Sequence, residues 1–392
     1  MAVAKVILNG TTLIDATVAT AVASDITSPK TAMLADGVMT TGTGSGGGGD
    51  LQINELLERT ISGTYSNSVI STLGFAAFGG CTNIESVNLP NVETIGSSAF
   101  TNCVNLVSVY APKASIISSY AFGGCSSLKD IVLSSQYSSV ANYTFSNCVA
   151  LSMISFPNVT NISNYAFQMC TSLENVSLPN LETVGTNAFR SCSALSSVEF
   201  SKVTTINSYA FANCIGLQYA SFKACSSVFS SAFQSCTALR SVYLGSVTNI
   251  LVSTFLSCYS LETINLPAFR TCNGLAFTNL WGLQCVVLGD PSASTFPYDA
   301  GTTGIQTNAF SRCYHLTSLY LLYSLGVVKL GGTNVFSSTP ISNYTTSTGG
   351  VFGSIFVPSA VYSSYISATN WATYSARIVS LTDVEIAALP FL

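Results

Sequence analysis

Cysteine and histidine are the residue types from which catalysis would first be built in this chain. There are 13 cysteines, and the single histidine, His315, stands two residues after Cys313. A thiol beside an imidazole is the elementary nucleophile-and-base pair. The spacing argues against it. Nine cysteines follow a recurring phenylalanine by three residues, at Cys81, Cys103, Cys125, Cys148, Cys170, Cys192, Cys214, Cys236 and Cys258; Cys313 resumes the series after Leu280 takes one place. A residue that returns once per period fills one structural slot, and free cysteine packs as a small hydrophobe. The series therefore reads as a ladder of reduced core thiols, with a disulfide or a bound metal as the alternatives. Side chains stacked in one direction are poorly aimed for a disulfide, and the C-x2-C spacing of zinc sites is absent. Cys225, Cys272 and Cys285 fall outside the series, and their redox state stays open. His315 reads as an accident of the ladder.

The carboxylates give no better start. Glu85, Glu93, Glu174, Glu182, Glu199 and Glu262 are scattered over four periods of the chain. Paired acids for glycoside cleavage must come within about 5–10 Å. Asp290 and Asp299 are close enough in sequence to meet, but a solvated loop is the simpler reading. The glycine tract lacks the Lys-Ser/Thr of a phosphate-binding loop. No catalytic, cofactor-binding or metal-binding residue is assigned, and the expectation is a chain that is not an enzyme.

What positions these residues is a repeat. Phenylalanine recurs at 78, 100, 122, 145, 167, 189, 211, 233, 255 and 277, in steps of 22 with a single step of 23, and a longer step reaches Phe310. Around each one the chain reads Ala-Phe, two residues, Cys, two residues, Leu, two residues, a β-branched residue, one residue, Leu or Phe, often Pro. A fixed period of this length marks stacked coils. Leu-x-x-Val-x-Leu supplies a short strand with alternate residues on one face, and Pro90, Pro157, Pro179 and Pro267 end the pairing because proline has no amide hydrogen to give. The Ala-Phe segment is expected to form a short helical turn, with Thr144 and Thr254 as small replacements for Ala. The fold expected is an α/β-type solenoid of 22-residue units with a parallel strand stack and irregular caps at both ends.

Composition agrees. Hydrophobic residues are 48% and charged residues 8% of the chain, yet the apolar residues come singly, and no window offers the roughly 18 or more that a spanning helix needs. Membrane insertion is not expected. With 13 Lys and Arg and a net charge of −4, no basic face for nucleic acid exists. The start of the chain lacks the basic and apolar run of a secretory signal, which points to a product that is not exported by that route.

The segments divide as follows. Residues 1–43 form a small β-rich attachment module: Lys5 to Asp15 reads as a hairpin about Asn9-Gly10, and Pro29 to Asp36 as a short helix capped by Ser28. Residues 44–50 are a glycine-rich linker, 51–76 an N-terminal cap, 77–336 the repeat array and 337–392 a C-terminal cap. In that cap Ile355-Phe356-Val357-Pro358 reads as a last strand, Val361, Tyr365, Trp371 and Tyr374 as a helix and turn over the open end, and Ile378-Val379 as a final strand.

The unit Ala-Phe-x-x-Cys-x-x-Leu-x-x-Val-x-Leu-Pro resembles the BspA-like, cysteine-containing class of bacterial leucine-rich repeats, over about two-thirds of the chain. The ending Ile355-Phe356-Val357-Pro358 with Thr369-Asn370-Trp371-Ala372-Thr373-Tyr374 resembles that of such proteins from gut Firmicutes and their phages. Lys5 to Asp15, closing at Met39-Thr40-Thr41-Gly42-Thr43, resembles a short module at the start of phage tail and fibre-associated proteins. The resemblance brings no catalytic motif. It implies a phage tail-associated or receptor-binding protein located in the virion, held to other tail proteins through residues 1–43, with a bacterial cell-surface adhesin as the alternative and a homo-oligomer left open.

A repeat array presents an extended strand face, and its exposed slots follow from the register. They are polar, nearly uncharged and dotted with tyrosine, which combines a rigid apolar body with a hydroxyl. Tyr110, Met153, Tyr219, Tyr243 and Tyr320 on this face, with Tyr298 and Asp299 in the insertion at 289–304, are the candidate contacts. The partner class they suit is a host-surface glycan or protein.

Overall fold

The computed structural model describes residues 62–293, 304–343 and 352–390, and within 1–61 the backbone of four short strands. The chain divides into two compact units, Met1–Leu178 and Pro179–Leu392. Both are built from the same coil.

In the second unit eight strands pair in parallel in chain order: Ser197–Glu199, Tyr219–Phe222, Ser241–Leu244, Thr263–Leu266, Cys285–Leu288, Ser318–Leu321, Ser354–Pro358 and Ile378–Leu381. Ser197 pairs with Tyr219 and Tyr219 with Ser241, so one period of sequence advances the sheet by one strand. In the first unit Gly63–Ser66, Ile84–Asn88, Ser108–Tyr110 and Asp130–Val132 pair in the same manner. Each coil also carries a two-residue strand, such as Thr94–Ile95 or Thr205–Ile206, and these form a second parallel ladder. The expected solenoid is thus present in each unit.

The core is a set of columns. Phe78, Phe100, Phe122 and Phe145 are fully buried and stack almost parallel, with ring centroids 5.1, 5.3 and 5.4 Å apart. Phe189, Phe211, Phe233 and Phe255 repeat this in the second unit at 5.4, 5.5 and 5.6 Å. Parallel offset rings add about 0.5–1.5 kcal/mol each beyond their buried area.

The turn that carries each phenylalanine is not helical. Two residues per coil take a left-handed conformation, one two places before the phenylalanine and one two places after, as at Ser98 (φ 58°) and Asn102 (φ 60°). A backbone that alternates hand cannot propagate a helix, and this corrects the expected helical turn. Among the described residues α-helix occurs only near the C-terminus, at Tyr362–Ser367 and Asp383–Ala387. Thr144 and Thr254 are buried as their neighbouring alanines are, and each hydroxyl donates to a carbonyl three residues back, Ala141 and Leu251, at 2.9 Å.

The coil of 23 residues departs in one place. Its extra residue lies among Ser134, Ser135 and Gln136, and the slot held by Val92 and Val159 in other coils holds Tyr137, buried edge-on against Phe156 at 5.4 Å.

Near the N-terminus, Lys5–Leu8 pairs antiparallel with Thr11–Asp15, as the hairpin reading required. Thr31–Met33 is also a strand, paired antiparallel with Met39–Thr41. This overturns the helix expected at Pro29 to Asp36: cross-strand pairing outweighs the helix preference of Ala32 and Met33, and Asp36-Gly37 between the strands is a hairpin signal. The tract at 44–50 lies outside the described residues.

The C-terminal segment packs against the last coils of the second unit. Trp371 is fully buried; its Nε1 donates to the Val328 carbonyl at 2.6 Å, while the Tyr365 hydroxyl accepts the Val328 amide at 3.0 Å. Phe336, the last rung of the column, meets Tyr374 edge-on at 5.2 Å.

Candidate ligand-binding face

The cysteines have a structural task. The Cys103 thiol donates to the carbonyl of Phe78 at 2.9 Å, and that carbonyl also accepts the amide of Cys81 at 3.0 Å. The same bond joins Cys125 to Phe100, Cys170 to Phe145, Cys214 to Phe189 and Cys313 to Phe277 at 3.0–3.1 Å. Cysteine suits the slot because it is small, apolar and carries one weak donor. Burial pushes the thiols of Cys170, Cys214 and Cys313 up to about 12, so they stay neutral and unreactive at ordinary pH. Every cysteine is free. Cys225 occupies the slot of Val203 and Val247, and Cys272 that of Ile250, which explains two of the three outside the series. Cys285 is half-buried on the strand face, with burial raising its thiol to about 11.

His315 joins this scaffold. Its Nδ1 donates to the Trp281 carbonyl at 2.6 Å, as Asn105 in the same slot donates to Thr82 at 2.7 Å. It bridges coils and bears no relation to the buried Cys313 thiol beyond sequence proximity. Asp290 accepts the amide and hydroxyl of Ser292 at 2.8 and 2.7 Å, which closes a local turn. Among the described residues no cluster of three metal-ligating side chains occurs, and no helix is long and apolar enough to cross a membrane.

The outward strand face carries the candidate contacts. On Tyr219–Phe222 and Ser241–Leu244 alternate residues are buried, so Tyr219, Ser221, Ser241 and Tyr243 share the outer face. Tyr219 pairs with Ser241, which sets Tyr243 diagonally from it, about 7–8 Å away between backbones. Tyr243, Asn265, Val287, Tyr320 and Phe356 then follow in one row across neighbouring strands. Three strand steps put Tyr320 about 14 Å from Tyr243. Tyr320 and Phe356 stack at 4.6 Å. The structure therefore brings Tyr219, Tyr243 and Tyr320 onto one face and adds Phe356, which the sequence reading had placed only in a closing strand. Tyr110 and Met153 are exposed on strands of the first unit, in two separate sheets, and are not brought together. Tyr298 and Asp299 lie outside the described residues. The ion pairs Lys223–Glu199 (3.9 Å) and Arg240–Glu262 (3.5 Å) are solvent-exposed and worth little.

Two further aromatic rows escaped the sequence reading. Tyr120, Tyr143 and Tyr165 stack at 4.4 and 4.5 Å, all with positive φ, in the slot two residues before the core phenylalanine. Burial and the flanking phenols raise the Tyr143 pKa. Tyr259 and Trp281, both exposed, stack at 4.8 Å. The signal was available: tyrosine at 120, 143 and 165 keeps step with the phenylalanines.

The family model for the BspA type leucine rich repeat region matches residues 60–174 and 160–284. The chain belongs to the BspA-type leucine-rich repeat family. Among solved structures it is similar to a leucine-rich repeat protein from Bacteroides ovatus ATCC 8483, with 24% identity and a TM-score of 0.53 over 80% of this chain and 88% of that one. It is also similar to a leucine rich cell surface protein from Faecalibacterium prausnitzii A2-165, with 21% identity and a TM-score of 0.36 over 80% and 97% of the two chains. The first likeness is one of fold. No curated protein matches the chain. The BspA-type match begins at residue 60, so the resemblance of residues 1–43 to a phage tail module, and the virion role drawn from it, gain no support.

Proposed function

We propose that this BspA-type protein is a non-enzymatic binding protein of the bacterial cell surface, and that it holds a glycan or an uncharged protein surface on the outward face of its second unit. The observation that carries this reading is the aromatic row itself: Tyr219 and Tyr243 set diagonally on neighbouring strands, with Tyr320 stacked on Phe356 in the same register. Tyrosines turned outward from the sheet, Tyr219 exposed and Tyr243 and Tyr320 half-buried, offer contact area at little entropic cost, and the serine, threonine and asparagine between them supply neutral hydrogen bonds. Membership of the repeat family supports a cell-surface adhesin over the tail-associated alternative.

The test is a binding screen of the full chain on a glycan array and against extracts of host surface protein, with the double variant Tyr219→Ala, Tyr243→Ala in parallel. Both side chains are outside the core, so the variant is expected to melt like the parent and to lose at least tenfold in affinity. Undiminished binding by the variant removes the strand face from the proposal.

A further inference from the structure

A second site lies on the other ladder of the same unit, away from the strand face. A groove of about 340 Å³ opens where Asn249 and Thr271 precede Gln306 and Thr307 on successive coils. Gly274 is part of its lining. The equivalent residues in other coils are Ser208, Ser230, Val252 and Thr307, so glycine leaves a gap in a row of side chains. A Cβ on Gly274 would stand 3.0 Å from the Thr307 carbonyl oxygen, which shows how near the next coil comes. The rings of the three coils that meet at the groove are unevenly spaced, with Phe255 and Phe277 6.2 Å apart and Phe277 and Phe310 4.9 Å apart.

The amides that line the groove are not spent on the fold. Elsewhere the same slots bind between coils: Asn207, in the slot of Asn273, donates to the Val184 carbonyl at 3.0 Å, and Asn161, in the slot of Asn249, donates to the Ser139 hydroxyl of the coil before it at 3.3 Å as well as to Ser163 beside it at 3.1 Å. Asn249, Asn273 and Gln306 make no such side-chain bond with the described residues. Three carboxamides offer paired donors and acceptors, and the Thr307 hydroxyl, which donates to the Gly331 carbonyl at 3.3 Å, is left as an acceptor. Among the described residues no charged side chain and no aromatic ring lines the groove.

We infer that this groove binds a single neutral pyranose, the terminal sugar of a glycan. The volume is at the small end of ligand sites. Adjacent sugar hydroxyls each donate and accept, which side-chain amides match with two hydrogen bonds at once. An anion finds no counter-charge here, and a flat aromatic ligand finds nothing to stack on. The groove does not share a residue with the strand face, so the two sites fail or succeed separately.

The experiment is saturation-transfer NMR and titration of the full chain with the methyl glycosides of glucose, galactose, mannose and N-acetylglucosamine. The groove assignment expects at least one of them to bind, the Asn249→Ala, Gln306→Ala variant to weaken it tenfold or more, and the Tyr219→Ala, Tyr243→Ala variant to leave it unchanged. Gly274→Asn, which fills the groove without removing an amide, is expected to abolish the signal; thermal melts confirm that each variant is folded. Failure of all four glycosides to bind the parent protein overturns the inference. So does binding retained within twofold by both folded groove variants.

Discussion

The turn side and the strand side of each coil are made by the same stretch of chain, yet they follow opposite rules. On the turn side one residue type recurs: phenylalanine stacked on phenylalanine, and a thiol bonded to the carbonyl of the coil before it. On the strand face the residues in one row run Ser221, Tyr243, Asn265, Val287, Tyr320 and Phe356. A slot that faces its own copy on the next coil must be filled by something that packs against itself, so it tolerates few residue types. A slot on the outward face is filled differently from coil to coil, even where neighbours meet, as Tyr320 and Phe356 do. Recurrence in a solenoid therefore reports on the fold, and the departures from it are where recognition can be encoded.

The sharpest way to break this contrast is to remove one ring from the column. Phe211 is fully buried and stacked on both sides, at 5.4 Å from Phe189 and 5.5 Å from Phe233. Phe211→Ala is expected to cost about 3–5 kcal/mol, read by urea unfolding. Because each coil contacts only its neighbours, the loss is also expected to split the transition. A cost like that of the exposed Tyr219→Ala change, within about 0.5 kcal/mol, would show that the column does not hold the coils.

Most of this interior is legible in the sequence. The period placed the phenylalanines, the cysteine slot and the strand register, and Cys225 and Cys272 follow once the slots of Val203 and Ile250 are read forward by whole periods. What was not legible is where backbone conformation or long-range pairing decides. Tyr120, Ser98 and Leu275 all take positive φ, and none of these residue types announces a left-handed turn. That is why the turn was read as helical. Ala32 and Met33 favour a helix locally, but their strand is settled by Met39–Thr41 across the hairpin. On the strand face the register exposed Tyr219 and Tyr243 correctly. Phe356 stands in the closing strand, beyond the repeat that marks the register, and only its pairing with Tyr320 places it in the row.

A smaller effect separates the two contributions of the thiol. Cys214→Ala removes a buried sulfur and its bond to the Phe189 carbonyl, which keeps the amide of Cys192 as a donor. The expected loss is about 1–2 kcal/mol. Burial raises the folded pKa of Cys214 to about 12, so the neutral thiol is the form the fold prefers. Its contribution is complete below the unfolded thiol pKa of about 8.5 and declines as pH rises towards the folded value. The parent protein should lose stability over that window more steeply than Cys214→Ala. A thiol reagent applied to the native protein at neutral pH should label Cys285 slowly and the ladder cysteines only on unfolding. Rapid labelling of several thiols in the folded state would contradict a buried, neutral ladder.

The smallest expected effect has the opposite sign, and it tests the one coil whose interior departs from the rule. Tyr137 stands where neighbouring coils have Val92, Ala114 and Val159, and the extra residue of its coil makes room for the ring. The ring is well used, edge-on to Phe156. The hydroxyl is not: among the described residues it is the buried side-chain polar atom without a hydrogen-bond partner in the protein, and burial alone pushes its pKa far above the ordinary phenol value. A buried donor left unmade costs about 1–3 kcal/mol, whereas phenylalanine keeps the shape and the edge-on contact. Tyr137→Phe is therefore expected to stabilise the protein by about 1 kcal/mol, seen as a higher midpoint in urea with an unchanged slope. Destabilisation by a similar amount would mean that the hydroxyl is satisfied in solution, and that this coil was lengthened to hold a polar contact and not merely a larger ring.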